Sequence, residues 1–225
     1  MKTIAIVGGS KGIGAALVEL LKDSCELLVF SRTEIQTNEH IKHFQLDVLK
    51  DALPDTPRLD GLVYCPGSIN LKPLNRLKID DFQEDFNINV LGAIRVIQHF
   101  EKALLTAGGS VVLFSTVATQ LGMPFHASIA VSKAGVEGLA KSLAAEYAAK
   151  IRFNVIAPTV TNTALAARLL RNDKQQEAMR QRHPLKTYLE AEEVAQFAKY
   201  LLSDHARAIS GQVFPIDAGI TTLKT

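Results

Sequence analysis

The chain has 225 residues, enough for one α/β domain with a full hydrophobic core. Apolar residues make up 47% and charged residues 21%, and a formal net charge of +2 gives no electrostatic case for nucleic acid as a partner. Two cysteines, Cys25 and Cys65, are too few for a disulfide framework and point to a reducing compartment. Only Ile4-Ala5-Ile6-Val7 separates Met1-Lys2-Thr3 from the first glycines, too short for a signal-peptide core. No apolar run reaches membrane-spanning length, so a cytoplasmic protein without a membrane partner is expected.

Ile4-Ala5-Ile6-Val7 reads as a buried strand, and Gly8-Gly9-Ser10-Lys11-Gly12-Ile13-Gly14 as a glycine-rich turn. A helix follows over Ile13–Asp23. Strand, glycine turn and helix N-terminus make an anion site, because free backbone N–H groups and the helix dipole point at the same place. Further strands are predicted at Glu26–Phe30, His43–Leu46, Gly61–Tyr64, Ser110–Phe114, Arg152–Ile156 and Gln212–Ile216. Helices are predicted at Ile79–Phe86, running on through Asn87 to Thr106, at Ile129–Ala149 and at Ala191–Leu202. Near-continuous apolar strands separated by helices imply a parallel sheet covered on both faces. No linker divides the chain, so residues 1–225 read as a single doubly wound α/β domain of seven strands. The segment Thr163 to Tyr188 is polar, apart from a Leu-rich start at Leu165–Leu170 that reads as a short amphipathic helix. Ligands of such folds bind beyond the C-terminal strand ends, where this insertion sits, so it reads as a substrate lid or a plain surface loop.

The spacing Gly8-x-x-x-Gly12-x-Gly14 resembles the T-G-x-x-x-G-x-G motif of the short-chain dehydrogenase/reductase family, with Val7 in place of threonine. The resemblance extends along the chain. It takes in Asp47-Val48 after the third strand, Tyr64-Cys65-Pro66-Gly67 where the family has N-N-A-G, and Asn89-Val90-Leu91-Gly92. It continues through Asn154-Val155-Ile156-Ala157-Pro158 with Thr163, and through Ser210-Gly211-Gln212 and Asp217-Ala218-Gly219. It implies a Rossmann-type fold, a small-molecule substrate and a homodimer or homotetramer packed through its two long helices. It assigns to a nicotinamide dinucleotide Gly8, Ser10, Lys11, Gly12, Ile13, Gly14, Ser31, Arg32, Asp47, Val48, Pro66, Gly67, Lys133, Pro158, Thr161 and Thr163.

Charge chooses between the cofactors. NAD(H) sites place a carboxylate after the second strand for the ribose 2′-hydroxyl. Here Phe30-Ser31-Arg32-Thr33 offers no acid before Glu34. Arg32 presents a planar fork suited to phosphate, and Lys11 adds a second cation, so NADP(H) is expected over NAD(H).

The family's catalytic set is Asn, Ser, Tyr and Lys. The corresponding positions are Asn89, Thr116, Ile129 and Lys133, so the proton-transferring tyrosine is missing. Three explanations stay open. Another group supplies the proton: His126, seven residues before Lys133 as in the enoyl-reductase branch, or the adjacent Ser128. Alternatively the reaction needs no tyrosine, as in the dienoyl-CoA reductase branch, whose lysine helix resembles Ser132–Glu137. Or the chain binds NADP(H) without turnover, as a sensor or partner subunit. Cys65 reads as a small buried apolar residue rather than a reactive thiol. Tyr188 is the tyrosine placed to reach the pocket through the lid.

Overall fold

Alternating strands and helices bring every strand terminus of one polarity to the same edge of the molecule. The computed structural model describes residues 1–224. Its strands are β1 (Lys2–Val7), β2 (Cys25–Ser31), β3 (Ile41–Gln45), β4 (Gly61–Tyr64), β5 (Ser110–Phe114), β6 (Arg152–Pro158), β7 (Thr161–Asn162), β8 (Leu189–Glu190) and β9 (Val213–Ile216). Seven form one sheet in the order β3-β2-β1-β4-β5-β6-β9, and every pairing is parallel. The helices are α1 (Gly12–Leu21), α2 (Ile79–Phe86), α3 (Gly92–Ala107), α4 (Ala127–Glu146), α5 (Asp173–Arg182) and α6 (Ala191–Leu202).

The strands are apolar on both faces because both are covered. On one side Leu17 and Leu21 of α1, with Val194 and Leu201 of α6, pack against Ile4, Ile6, Val63 and Val112. On the other, Val96, Phe100 and Leu104 of α3, with Val136 and Ala140 of α4, pack against Ala5, Leu62, Val111 and Phe153. No described helix is long and apolar enough to cross a membrane.

The sequence reading and the structure differ in three places. Residues 79–107 are not one uniform helix: Asn87–Leu91, between α2 and α3, is a π-helical segment. Such wide turns occur mostly at functional sites, and the pattern of apolar residues does not reveal them. The Leu-rich start of the insertion forms only a three-residue 3₁₀ turn, Ala164–Ala166. The insertion's helix is the polar α5, which begins where the Asn172 side chain accepts from Gln175 N at 3.0 Å. Parallel pairing of β7 with β8 then ties the two ends of the insertion together.

The π segment is anchored from the sheet. Tyr64, 3% exposed at the end of β4, donates its hydroxyl to Ile88 O at 2.7 Å. Gly92 leaves the space, since a Cβ there would overlap the Tyr64 hydroxyl. Tyr64→Phe removes the donor and leaves the Ile88 carbonyl short of a partner. It is expected to lower stability by about 1–3 kcal/mol in urea denaturation.

Candidate active site

The strand order reverses between β1 and β4, which opens a crevice at the carboxyl ends of the strands. A cleft of about 500 Å³ occupies it. The glycine turn forms one wall. Gly8 and Gly12 have φ of +80° and +54°, left-handed values that favour glycine, and a Cβ on Gly14 would overlap the Gly8 carbonyl. Lys11 stands at the N-cap of α1, so the first N–H groups of that helix face the cleft.

All of the residues assigned to the dinucleotide, from Gly8 through Thr163, line this one cleft, as do Thr116 and His126. Lys11 and Arg32 are exposed, and among the described residues neither has a carboxylate partner. The Ser31 hydroxyl donates to Thr33 O at 2.7 Å and lies 2.9 Å from His43 Nε2. Asp47 Oδ1 accepts from Leu49 N at 3.0 Å and shapes the wall that includes Val48. The insertion contributes Leu165, Leu169, Met179 and His183 to the opposite wall.

The floor is polar. Lys133 Nζ, buried on α4, donates to Phe114 O at 2.9 Å. Burial lowers its pKa from 10.5 to about 8, against the opposing pull of Cys65 and Asp85. Asn89, in the π segment, donates from Nδ2 to Asp85 O at 2.7 Å and to Ser68 Oγ at 3.1 Å. Its Oδ1 is buried and, among the described residues, has no hydrogen-bond partner. A Cβ on Gly67 would lie 3.4 Å from that oxygen and 3.7 Å from Lys133 Nζ, so both groups converge on the same spot of the floor. Asn89 itself does not line the cleft; its unpartnered oxygen lies behind Gly67, which does.

Ile129 faces the cleft and is 4% exposed, so no proton donor stands at that position. Thr116 accepts from Ala118 N at 3.3 Å, while neighbouring Ser115 is engaged by Glu137 at 2.6 Å. His126 binds Pro124 O through Nδ1 at 2.7 Å, on the loop before α4. Ser128 does not line the cleft: it is buried behind the wall with its hydroxyl on Asp85 Oδ2 at 2.6 Å. Cys65 does line the cleft, and burial pushes its thiol up to about 12, which suits an unreactive apolar filler. Tyr188 is buried against Arg180 and Gln176 and does not reach the cleft. Sequence reading missed Asp85, Ser68 and Asn70, which meet beneath the floor. The available signal is Asp85 itself, one helical turn before Asn89 and therefore on the same face.

A family model described as enoyl-(acyl carrier protein) reductase matches residues 15–221. The chain belongs to the short-chain dehydrogenase/reductase family. It is 37% identical over 182 residues to the uncharacterized oxidoreductase Rv1714 of Mycobacterium tuberculosis, covering 77% of this chain and 67% of that one. The NADP-bound structure of ElxO superposes with a TM-score of 0.86 at 26% identity over 99% of each chain. The structure of 4-hydroxyisoleucine dehydrogenase complexed with NADH gives 0.89 at 25% identity over the whole of each chain. In this short-chain dehydrogenase/reductase Thr116 and Lys133 line the cleft with Asn89 just behind, while position 129 is an apolar isoleucine.

Lys133 carries a cost that can be measured. Its folded pKa of about 8 lies below the ordinary 10.5, so the unfolded chain holds the proton more tightly. The cost is full below about pH 8 and fades as pH rises toward 10.5. It amounts to about 3 kcal/mol. Lys133→Met is therefore expected to stabilise the ligand-free protein by up to about 3 kcal/mol at pH 7, with the gain shrinking by pH 10, in denaturant titrations at the two pH values.

Proposed function

We propose that the protein is an NADP(H)-dependent oxidoreductase that reduces a carbonyl or an activated double bond, with the proton coming from a group other than residue 129. The observation that carries this reading is the convergence of Lys133 and the unpartnered Asn89 Oδ1 on Gly67, inside the cleft that begins at the glycine turn. Relatives that bind NADP and NADH support a nicotinamide cofactor in general.

The residues present fit such a cofactor. The N–H groups of the glycine turn and α1 bind its phosphates, and Lys11 with Arg32 holds a 2′-phosphate. Asp47 and Val48 flank the base. Lys133 holds the ribose next to the nicotinamide, and Pro158, Thr161 and Thr163 hold the nicotinamide itself. When bound, the cofactor supplies the hydride. Thr116 orients the substrate oxygen, Ile129 and Cys65 keep that part of the cleft apolar, and the 163–188 insertion closes over it.

Arg32→Ala is expected to weaken NADPH binding by about 10- to 150-fold, the equivalent of about 1.5–3 kcal/mol, and NADH binding far less, in fluorescence titrations. Equal losses for both would remove the 2′-phosphate contact.

Turnover is tested by NADPH oxidation across aldehydes, ketones, quinones and enoyl thioesters. Oxidation with at least one class is expected. NADPH binding with no turnover on any of them would instead make the chain a cofactor-binding sensor or partner subunit.

A further inference from the structure

The reading above leaves one proton without a source, because Ile129 has none to give. Beneath the cleft floor lies a polar cluster that cofactor binding does not explain. Asp85, on α2, is fully buried. Its Oδ1 accepts from Ser68 Oγ at 2.5 Å and from Asn70 Nδ2 at 3.1 Å, and its Oδ2 accepts from Ser128 Oγ at 2.6 Å. A carboxyl costs free energy to bury even when satisfied, and an apolar side chain between α2 and α4 would hold them together without that cost.

Of the three donors, only Ser68 also lines the cleft. It follows Gly67, the point on which Asn89 Oδ1 and Lys133 Nζ converge, and its oxygen accepts from Asn89 Nδ2. The Ser68–Asp85 hydrogen bond has two settings. With Asp85 charged, Ser68 donates to it and turns an acceptor oxygen to the cleft. With Asp85 protonated, the carboxyl donates to Ser68 and the hydroxyl proton is released toward the cleft.

We propose that Ser68 exchanges the substrate proton and that Asp85, acting through it, stores that proton. This rests on the oxidoreductase reading. In reduction of a carbonyl, the hydride that a bound dihydronicotinamide would supply, becoming oxidised, would form a C–H bond at the carbonyl carbon. The C=O π bond breaks, and its oxygen takes the Ser68 hydroxyl proton. The Ser68 oxygen takes the Asp85 carboxyl proton, which leaves Asp85 as a carboxylate to be reprotonated from water between turnovers. Alcohol oxidation runs the same bonds in reverse. Ser68 is the catalytic residue here and Asp85 a positioning residue.

Charged groups around Asp85 are few. Lys133 faces it from α4. Asp81, one turn away on α2, is tied to Lys72 Nζ and to Lys78 N. His126 sits apart, with Nδ1 bound to Pro124 O.

The test compares Asp85→Asn, Ser68→Ala, Ser68→Thr and His126→Ala with wild type, using NADPH and whichever carbonyl or enoyl thioester wild type reduces. Asp85→Asn and Ser68→Ala are expected to lower kcat by about 100-fold or more, with NADPH affinity kept within about twofold. Ser68→Thr is expected to restore most of the rate, and His126→Ala to cost far less than Ser68→Ala.

An independent readout needs no turnover. Infrared difference spectra across pH should show a carboxylic C=O stretch that is missing in Asp85→Asn and displaced in Ser68→Ala. Ser68→Ala also removes only one oxygen, which keeps the test open should Asp85→Asn not fold. Wild-type turnover with unchanged kcat in Ser68→Ala, a stretch indifferent to Ser68→Ala, or a loss confined to His126→Ala overturns the relay and leaves the oxidoreductase reading standing. A wild type that binds NADPH yet reduces nothing overturns both.

Discussion

Every functional feature of this molecule depends on one topological constraint. In an all-parallel sheet the carboxyl ends of the strands lie along one edge, and the reversal of strand order between β1 and β4 forces the helices that follow onto opposite faces. In the crevice left between them, chain segments far apart in sequence meet. The glycine turn after β1, Pro66-Gly67 after β4, Thr116 after β5 and Pro158 after β6 all reach it for that reason. Glycine at positions 8, 12 and 14 is then a steric requirement, because the turn must fold back on itself with no room for side chains.

Much of this was legible in the sequence, and the legible part has a common cause. Strands such as Gly61–Tyr64 and Ser110–Phe114 are apolar along their whole length because both of their faces are buried, and a run of that kind shows without any partner. The glycine spacing shows because close backbone approach permits few other residues. Most of the cleft-lining set sits shortly after a strand end; Lys133, on α4, does not.

What sequence reading missed depends on contacts between segments. The π segment at Asn87–Leu91 keeps the apolar pattern of an ordinary helix, and its cause is the Tyr64 hydroxyl arriving from β4, 24 residues away. The polar α5 has too few apolar residues to announce itself, and it is fixed by its Asn172 cap and by the β7–β8 pairing. Asp85 lies on a helix with other acids, Asp80 and Asp81 among them, so its charge does not set it apart in the sequence. Only its meeting with Ser68, Asn70 and Ser128 makes it a buried group.

The wide turn and the buried carboxyl belong together. A π turn rotates the residues that follow it relative to those before, so Asn89 Nδ2 can reach back to Asp85 O while Oδ1 points toward Gly67. The same side chain thus touches the floor of the cleft and the cluster beneath it. Lys133 joins the two layers from α4: its ammonium is anchored on Phe114 O, and its charge is felt by Cys65 in the wall and Asp85 below. Ile129 stands apolar at the front of this arrangement, with the polar connections behind it. Polar networks in a dry interior are costly when half satisfied, and this one has a single open acceptor, buried behind the cleft-lining Gly67.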